Sequence, residues 1–199
     1  MTKFAWSYSS LGLFQQCPKK YYHLRVLKDT KEPESEPMLY GKAVHEAAEK
    51  YIGEDVPIPE KFSFITPILD ILKAIPGQKY CEYRMGLTKE LKPCEFFDAN
   101  VWFRGVADLL IVNGELAHVI DYKTGKVEKT NVSLKSWNGL TQEIKNDKII
   151  QVLAYAFMYE QEANGKPIEA GIISFKNLKS GFLPFNYKED KEVQQIINQ

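Results

Sequence analysis

Cysteine is scarce in this chain, with three residues among 199: Cys17, Cys81 and Cys94. Three thiols cannot build a disulfide framework, and their spacing is not that of a zinc finger. The sequence therefore excludes the class of small secreted folds that depend on disulfides for stability. A reducing, intracellular setting is the expectation that fits this cysteine usage.

Long apolar runs are also missing. No stretch approaches the roughly 20 residues that a membrane-spanning helix needs. The N-terminal segment, MTKFAWSYSS, has neither the apolar core nor the small-residue cleavage site of a signal peptide. We therefore expect no membrane partner and a cytoplasmic location.

An excess of charge of either sign is the third absence, because 26 Lys and Arg balance 26 Asp and Glu. Many nucleic-acid-binding domains are strongly basic, so binding of DNA would here depend on local patches. Residues 17–31 hold five cations and one anion, and residues 123–135 hold four cations and one anion. The alternative for both clusters is an ordinary solvated surface.

The apolar periodicity that is present predicts a helical first part and a β-rich second part. Ser7, Ser9 and Ser10 are candidate N-caps for a helix that carries Leu11 and Phe14. Further helices are predicted at residues 19–27, 41–52, 64–75 and 146–164, with a loop at 31–37. Strands are predicted at residues 80–87, 101–112, 116–123, 170–175 and 182–187, with a turn at 177–181.

This order of elements predicts a mixed α/β fold in which helices flank a central mixed sheet. We expect a single domain over 1–199, mainly helical in 1–78, with the sheet and the long helix in 79–187 and a C-terminal helix in 188–199. Asn113-Gly114 between the second and third strands is a strong hairpin signal.

The segment HVIDYKTGK, residues 118–126, places two charged side chains at the end of an apolar strand. Asp121 and Lys123 are two residues apart, so they point to one face, and Tyr122 points to the other. A salt bridge at a strand end would explain this pair equally well.

Asp108 interrupts the apolar run GVADLLIV in the preceding strand. A carboxylate in a buried strand is costly unless something pairs with it. Pairing across the Asn113-Gly114 turn places Asp108 near residues 119–121, so its carboxylate converges with that of Asp121. Two carboxylates beside Lys123 form an oxygen-rich site that suits Mg²⁺ or Mn²⁺.

Three further residues are candidates whose simpler explanation is structural. His45 lies among alanines in GKAVHEAAEKY, where a histidine that only packs is the commoner case. Gln151 and Tyr155 in QVLAYAFMY are four residues apart on one helix face, as ordinary packing neighbours also are.

These segments, in this order, resemble the PD-(D/E)XK nuclease superfamily, and specifically its RecB-like branch. The resemblance is carried by five segments: SYSSLGLFQQCPKKYY, YGKAVHEAAEKY, RGVAD, IDYKTGK and QVLAYAFMY. Each is weak alone, but five in the right order are specific. The resemblance implies a restriction-endonuclease-like core.

The resemblance also implies a role for each matching residue. His45, Asp108 and Asp121 would bind metal, with help from the Tyr122 carbonyl, and Lys123 would orient the attacking water and stabilise charge on the phosphate. Gln151 and Tyr155 would shape the site and contact the DNA. Glu82, in YCEYRMGL, matches a position where relatives often carry a glutamate near the site.

Many RecB-like relatives bind an iron–sulfur cluster through one N-terminal and three C-terminal cysteines. Cys17 matches the first of these, but no cysteine follows Cys94. We therefore expect no iron–sulfur cluster, and Cys17 as a packed thiol.

The function that follows is a deoxyribonuclease dependent on Mg²⁺ or Mn²⁺, with one or two ions. The resemblance favours an exonuclease in recombination, repair or phage DNA processing, in a bacterial or phage-infected cell, with a helicase or recombination protein as a possible partner. Two alternatives stay open. One is a non-catalytic DNA-binding or assembly module on the same fold, and the other is a hydrolase of another phosphoester.

Overall fold

The computed structural model describes residues 4–114, 116–125, 147–175 and 179–185. The helices are α1 Tyr8–Gln16, α2 Pro18–Tyr21, α3 Glu36–Glu54, α4 Thr66–Ala74 and α5 Asp147–Glu162, with a π-helix at Tyr22–Leu27 and a 3₁₀ helix at Glu60–Ile65. The strands are β1 Gln78–Leu87, β2 Pro93–Cys94, β3 Phe103–Val112, β4 Ala117–Lys123, β5 Ile168–Ser174 and β6 Lys179–Phe185. None of the described helices has both the length and the apolar character that crossing a membrane requires.

The first helices begin where the sequence places their caps. Ser7 and Ser10 form a reciprocal capping box, in which each side chain accepts the other residue's backbone N–H, at 3.2 and 2.8 Å. Cys17 ends α1 and caps α2 by accepting the Lys20 N–H on its sulfur at 3.4 Å. Helix α1 therefore ends directly before Pro18, and α2 begins at that proline.

Helix α3 begins at Glu36, five residues before the predicted start at residue 41. Pro37 lies in its first turn, where a missing N–H costs nothing because the first-turn N–H groups have no intrahelical partner. The loop predicted at 31–37 is therefore shorter than expected, because a proline fits the first turn of a helix as well as it fits a loop.

The six strands form one sheet in the order β2-β1-β3-β4-β5-β6. Strands β4 and β5 are parallel and are connected through α5, whereas every other neighbouring pair is antiparallel. The mixed α/β fold is confirmed. The last hairpin is tighter than predicted, because β6 begins at Lys179, which pairs with Ser174. The helix predicted at 188–199 and most of the basic cluster at 123–135 lie outside the described residues.

The sheet has two covered faces, which we name by the helix that covers each. The α5 face packs Ala107, Leu110 and Val119 against Leu153 and Ala156. The α3 face packs the alternate strand residues against α3, α4 and the 3₁₀ helix: Leu109, Ile111, Ile120, Tyr122 and Ile173 against Val44, Ala48, Ile65 and Leu69. Apolar side chains on both faces make the middle strands nearly continuous hydrophobic runs.

In a regular strand the side chains alternate between the two faces of the sheet. In β1 and in β3 this alternation is interrupted once, at positions that lie opposite each other. In β3, Leu109 packs on the α3 face and Ala107 on the α5 face, although a regular strand would put both on one face. In β1, Cys81 and Tyr83 show the same slip. The interruption falls at Glu82 in β1 and at Asp108 in β3. These two residues lie opposite each other, because Cys81 pairs with Leu109 and Tyr83 pairs with Ala107.

Candidate active site

Glu82 and Asp108 are carried by the distortion in β1 and β3. Glu82 has a φ of 49°, in the left-handed region that non-glycine residues rarely occupy. A residue held there costs of order 1–3 kcal/mol, and such residues cluster at functional sites. The slip is the local reason that two carboxylates leave the regular pleat at one point of the sheet.

His45 reaches the same point from α3. Its Nδ1 lies 3.1 Å from Asp108 Oδ1, and its ring meets the Tyr122 ring edge-on at a centroid distance of 5.7 Å. Ala47 and Ala48 let α3 approach the sheet closely, because their side chains end at Cβ. The alanines around His45 therefore have a packing role that brings the imidazole to the carboxylates.

His45, Glu82 and Asp108 each offer one ligand atom, and these atoms all lie within 4.8 Å of one another. Ligand atoms on opposite sides of a Mg²⁺ ion are about 4 Å apart, since each metal–oxygen distance is about 2.1 Å. The set is therefore close to the dimensions of a single divalent ion. One imidazole and two carboxylates are also ligands that such ions accept, so the residues fit a Mg²⁺ or Mn²⁺ ion.

Asp108 also joins β3 to β4 where their ladder ends. The last paired residues are Leu109 and Ile120, and one step further the Tyr122 N–H donates to Asp108 Oδ2 at 2.5 Å. A carboxylate that accepts a backbone N–H is held in place by that bond. Asp108 thus lies beside Asp121, as the hairpin register predicted, and its carboxylate replaces a ladder partner.

Asp121 and Lys123 form a second, more enclosed pair next to that set. The Lys123 ammonium lies 2.5 Å from Asp121 Oδ2, as an ion pair without the orientation of a hydrogen bond. The Asp121 side chain is only 4% exposed and that of Lys123 16% exposed. Asp121 is not among the residues whose ligand atoms converge within 4.8 Å, so its predicted ligand role stays a prediction.

Gln151 and Tyr155 hold the ammonium from the α5 side. Lys123 Nζ donates to Gln151 Oε1 at 2.8 Å, and Gln151 Nε2 donates to the Tyr155 hydroxyl at 2.9 Å. The four-residue spacing on α5 therefore places both side chains in one hydrogen-bonded chain that ends at Lys123.

Gly105 makes room for this chain. A Cβ built on Gly105 would lie 2.5 Å from Cε1 and 2.7 Å from Cδ1 of Tyr155. Only glycine allows the Tyr155 ring to pack this closely on β3. The glycine of RGVAD thus has a packing reason, which sequence reasoning missed.

The electrostatics of the site oppose a fully ionised state of all its acids. Burial and the neighbouring Asp108 carboxylate raise the pKa of Asp121 to about 6, against the lowering effect of Lys123. Partial desolvation and Asp108 also raise the pKa of Glu82. Burial lowers the pKa of His45, but the hydrogen bond and charge of Asp108 outweigh it, so that the net shift is upward. An added cation would relieve this crowding of negative charge.

Sequence reasoning and structure differ most for two residues. The sequence points to Glu82 only through its matching position, yet Glu82 lies with His45 and Asp108. The sequence points to Tyr122 through its carbonyl, whereas the contact that the structure places at the site is its N–H to Asp108. The feature that marks Glu82 is the interruption of side-chain alternation at Glu82 and Asp108. It can be recognised only once it is known which helix covers each face of the sheet.

The sequence and the fold were compared with curated proteins, with solved structures and with protein-family models. A search among curated proteins gave no match. A solved structure described as "Crystal structure of SSO0001" aligns with 13% identity and a TM-score of 0.45, over 100% of this chain and 78% of that one. A model of the PD-(D/E)XK nuclease superfamily matches residues 5–199. Because that match includes every site residue described above and nearly the full sequence, the chain belongs to the PD-(D/E)XK nuclease superfamily.

Proposed function

We propose that this protein is a DNA nuclease that depends on Mg²⁺ or Mn²⁺ and hydrolyses phosphodiester bonds. The observation that supports it most directly is the convergence of His45, Glu82 and Asp108 beside the Asp121–Lys123 pair. When bound, the divalent ion would activate water and neutralise charge on the phosphoryl oxygens. His45, Glu82 and Asp108 would hold it, with Asp121 as a further carboxylate near it.

Lys123 is the residue positioned to act on the reacting groups. An ammonium has three hydrogens to donate. Lys123 donates one hydrogen to Gln151 and pairs with the Asp121 carboxylate through its charge, which leaves donor capacity for a water molecule or a phosphate oxygen. A cation fixed in this way stabilises developing negative charge without reorganising during the reaction. Tyr155 keeps Gln151 in position.

The finer assignment rests on the order of the sequence segments. The five segments that resemble the RecB-like branch favour an exonuclease that acts in recombination, repair or phage DNA processing. A helicase or recombination protein as partner, and the cytoplasm of a bacterial or phage-infected cell, follow from the same resemblance. The absence of an iron–sulfur cluster stays a prediction, checked by the absence of visible absorbance bands in the purified protein.

A cleavage assay tests the proposal. Linear single-stranded, linear double-stranded and closed circular DNA are incubated with the protein in Mg²⁺, in Mn²⁺ and in EDTA. We expect metal-dependent loss of linear DNA and no loss in EDTA or with Asp121→Ala. The fate of the circle separates exonuclease from endonuclease action.

A pair of matched glutamate substitutions adds a control to this assay. Glu82→Gln removes a carboxylate from the proposed set, whereas Glu46→Gln removes one that pairs with Lys50 next to His45 along α3. Cleavage should fall with the first variant and persist with the second. A folded, metal-binding protein that cleaves no DNA would instead identify a DNA-binding module on the nuclease fold.

A further inference from the structure

Two arginines and two phenylalanines form a surface cluster outside the proposed metal set. The guanidinium carbon of Arg104 lies 5.1 Å from the centre of the Phe96 ring, and that of Arg84 lies 5.7 Å from Phe96 and 6.0 Å from Phe97. The two rings meet edge-on at 4.9 Å. We call these four residues the arginine–phenylalanine cluster.

A close crossing of backbone segments builds the cluster. The short strand β2 pairs with the end of β1, so that Cys94 lies opposite Gly86. A Cβ on Gly86 would lie 2.8 Å from the Cys94 carbonyl oxygen and 2.9 Å from that of Glu95. The chain therefore passes directly over Gly86 and delivers Phe96 and Phe97 onto the two arginines.

The two arginines of this cluster are not held in ion pairs by the described residues. Within the described part of the chain, neither Arg84 nor Arg104 has a carboxylate oxygen within 4.0 Å, although Glu95 and Asp98 lie in the adjoining loop. Phe97 is 73% exposed, so its ring contributes little to the core. Two guanidinium groups without an ion-pair partner among the described residues, beside an exposed aromatic ring, are features that bind a phosphate backbone and stack a base.

The position of the cluster links it to the proposed metal set. Tyr83, Met85 and Gly105 face α5, so their neighbours Arg84 and Arg104 point to the other face of the sheet, on which α3 holds His45. Arg84 follows Glu82 by two residues, and Arg104 precedes Asp108 by four. At about 3.3 Å per residue in a strand, these separations are about 7 and 13 Å.

We propose that the arginine–phenylalanine cluster binds unpaired nucleotides of a single DNA strand next to the phosphate that is cleaved. This inference rests on the proposed nuclease function. Arg84 and Arg104 bind phosphate oxygens, and Phe97 stacks on one base. A base within a duplex is already stacked on its neighbours and paired, so an exposed ring of this kind selects single-stranded DNA over duplex DNA.

The test is a binding measurement in EDTA, where cleavage does not interfere. Anisotropy of a fluorescent oligothymidylate reports affinity for the full-length protein, with a blunt duplex as comparison. We expect Phe97→Leu to weaken single-strand binding by about 5- to 100-fold, and Phe97→Trp to retain it, because stacking needs a planar ring. Arg84→Ala should also weaken binding and reduce the salt dependence by about 0.7 in the log–log slope.

Lys61→Ala is the matched control, because Lys61 is an exposed cation of the 3₁₀ helix, outside both the cluster and the basic segment 17–31, and its loss changes the net charge equally. An equal loss from Lys61→Ala and Arg84→Ala would show that only overall charge matters and would overturn the proposal. Unchanged single-strand affinity of the Phe97→Leu variant would also overturn the proposal. An equal loss of affinity for duplex DNA in that variant would do the same. Thermal melting checks that each variant is folded.

The outcomes also separate this inference from the nuclease assignment. Wild-type cleavage in Mg²⁺ with no effect of the cluster variants on binding would refute the inference and leave the nuclease intact. Binding that depends on Phe97 and Arg84 in a protein that never cleaves DNA would support the inference and refute the nuclease.

Discussion

Two groups of charged residues lie side by side where the ladder between β3 and β4 ends, and they differ in how their charge is balanced. Asp121 is enclosed and has its own cation, Lys123, at 2.5 Å. Glu82 and Asp108 are more open, and within the described residues neither has a lysine or arginine within 4.0 Å. His45 is their nearest basic partner.

From this difference we propose a division of labour between the two groups. A buried carboxylate with a fixed ammonium is a self-contained unit whose geometry is set by the fold. Two carboxylates beside a single imidazole keep an excess of negative charge, which a bound cation would compensate. The first group is suited to acting on water and phosphate, and the second to holding the ion. Changes in each group should therefore have separable effects.

The largest effect is expected from Asp108→Ala. It removes a proposed metal ligand and leaves both the His45 ring and the Tyr122 N–H without their partner. Cleavage should fall by at least about 10²–10³-fold, the range for losing one preorganised electrostatic contact. Isothermal calorimetry should show that Mg²⁺ binding is lost with it. Metal binding of wild-type strength in this variant would contradict the assignment.

Lys123→Ala should separate the two groups. The ion-holding residues remain, so metal affinity should change little, whereas cleavage should slow by about 10²-fold because the fixed positive charge is lost. Single-turnover kinetics and calorimetry on the same sample provide the comparison. Equal losses of metal affinity and rate would show that the groups do not act separately.

Asp121→Asn should affect stability in a pH-dependent way. The pKa of Asp121 is raised to about 6, so the folded state binds its proton more tightly than the unfolded state does. The stability that this provides is fully present below the ordinary value of 3.8 and is lost as pH rises through about 6. Above pH 7 the wild type in EDTA should be less stable than the variant by up to about 3 kcal/mol.

Denaturant unfolding in EDTA at pH 4 and at pH 8 measures this difference. The two proteins should be similar at the lower pH and differ at the higher one. Added Mg²⁺ should stabilise the wild type more than the variant. A difference that does not depend on pH would show that packing, and not ionisation, determines it.

Of the four substitutions considered, Gly105→Ala should have the smallest effect on the two groups of charged residues, because it reaches Lys123 only through Tyr155. The new Cβ would displace the Tyr155 ring and, through Gln151, loosen Lys123. Overpacking of this kind costs about 1–3 kcal/mol. Gly12→Ala in α1, where nothing lies within 4 Å, is the matched control and should stabilise by up to about 1 kcal/mol. Thermal melting compares both with the wild type.

Much of the site followed from sequence because it depends on local rules. The Asn113-Gly114 turn sets the register of β3 and β4, and that register brings Asp108 beside Asp121. The two-residue spacing of Asp121 and Lys123 puts them on one face of a strand. The four-residue spacing of Gln151 and Tyr155 puts them on one face of a helix. Each rule needs only a few neighbouring residues.

The remaining features depend on elements that are far apart in the chain. Glu82 joins His45 and Asp108 because β1 and β3 slip together at one level and α3 lies over that level. Phe96 and Phe97 reach Arg84 and Arg104 because the chain crosses over Gly86. The sequence by itself determined the helices, the hairpin and the Asp121–Lys123 pair, since short-range sterics and periodicity decide them. Only tertiary structure decided which carboxylates meet the imidazole, because packing energy from distant elements holds Glu82 in a backbone conformation that local propensity disfavours.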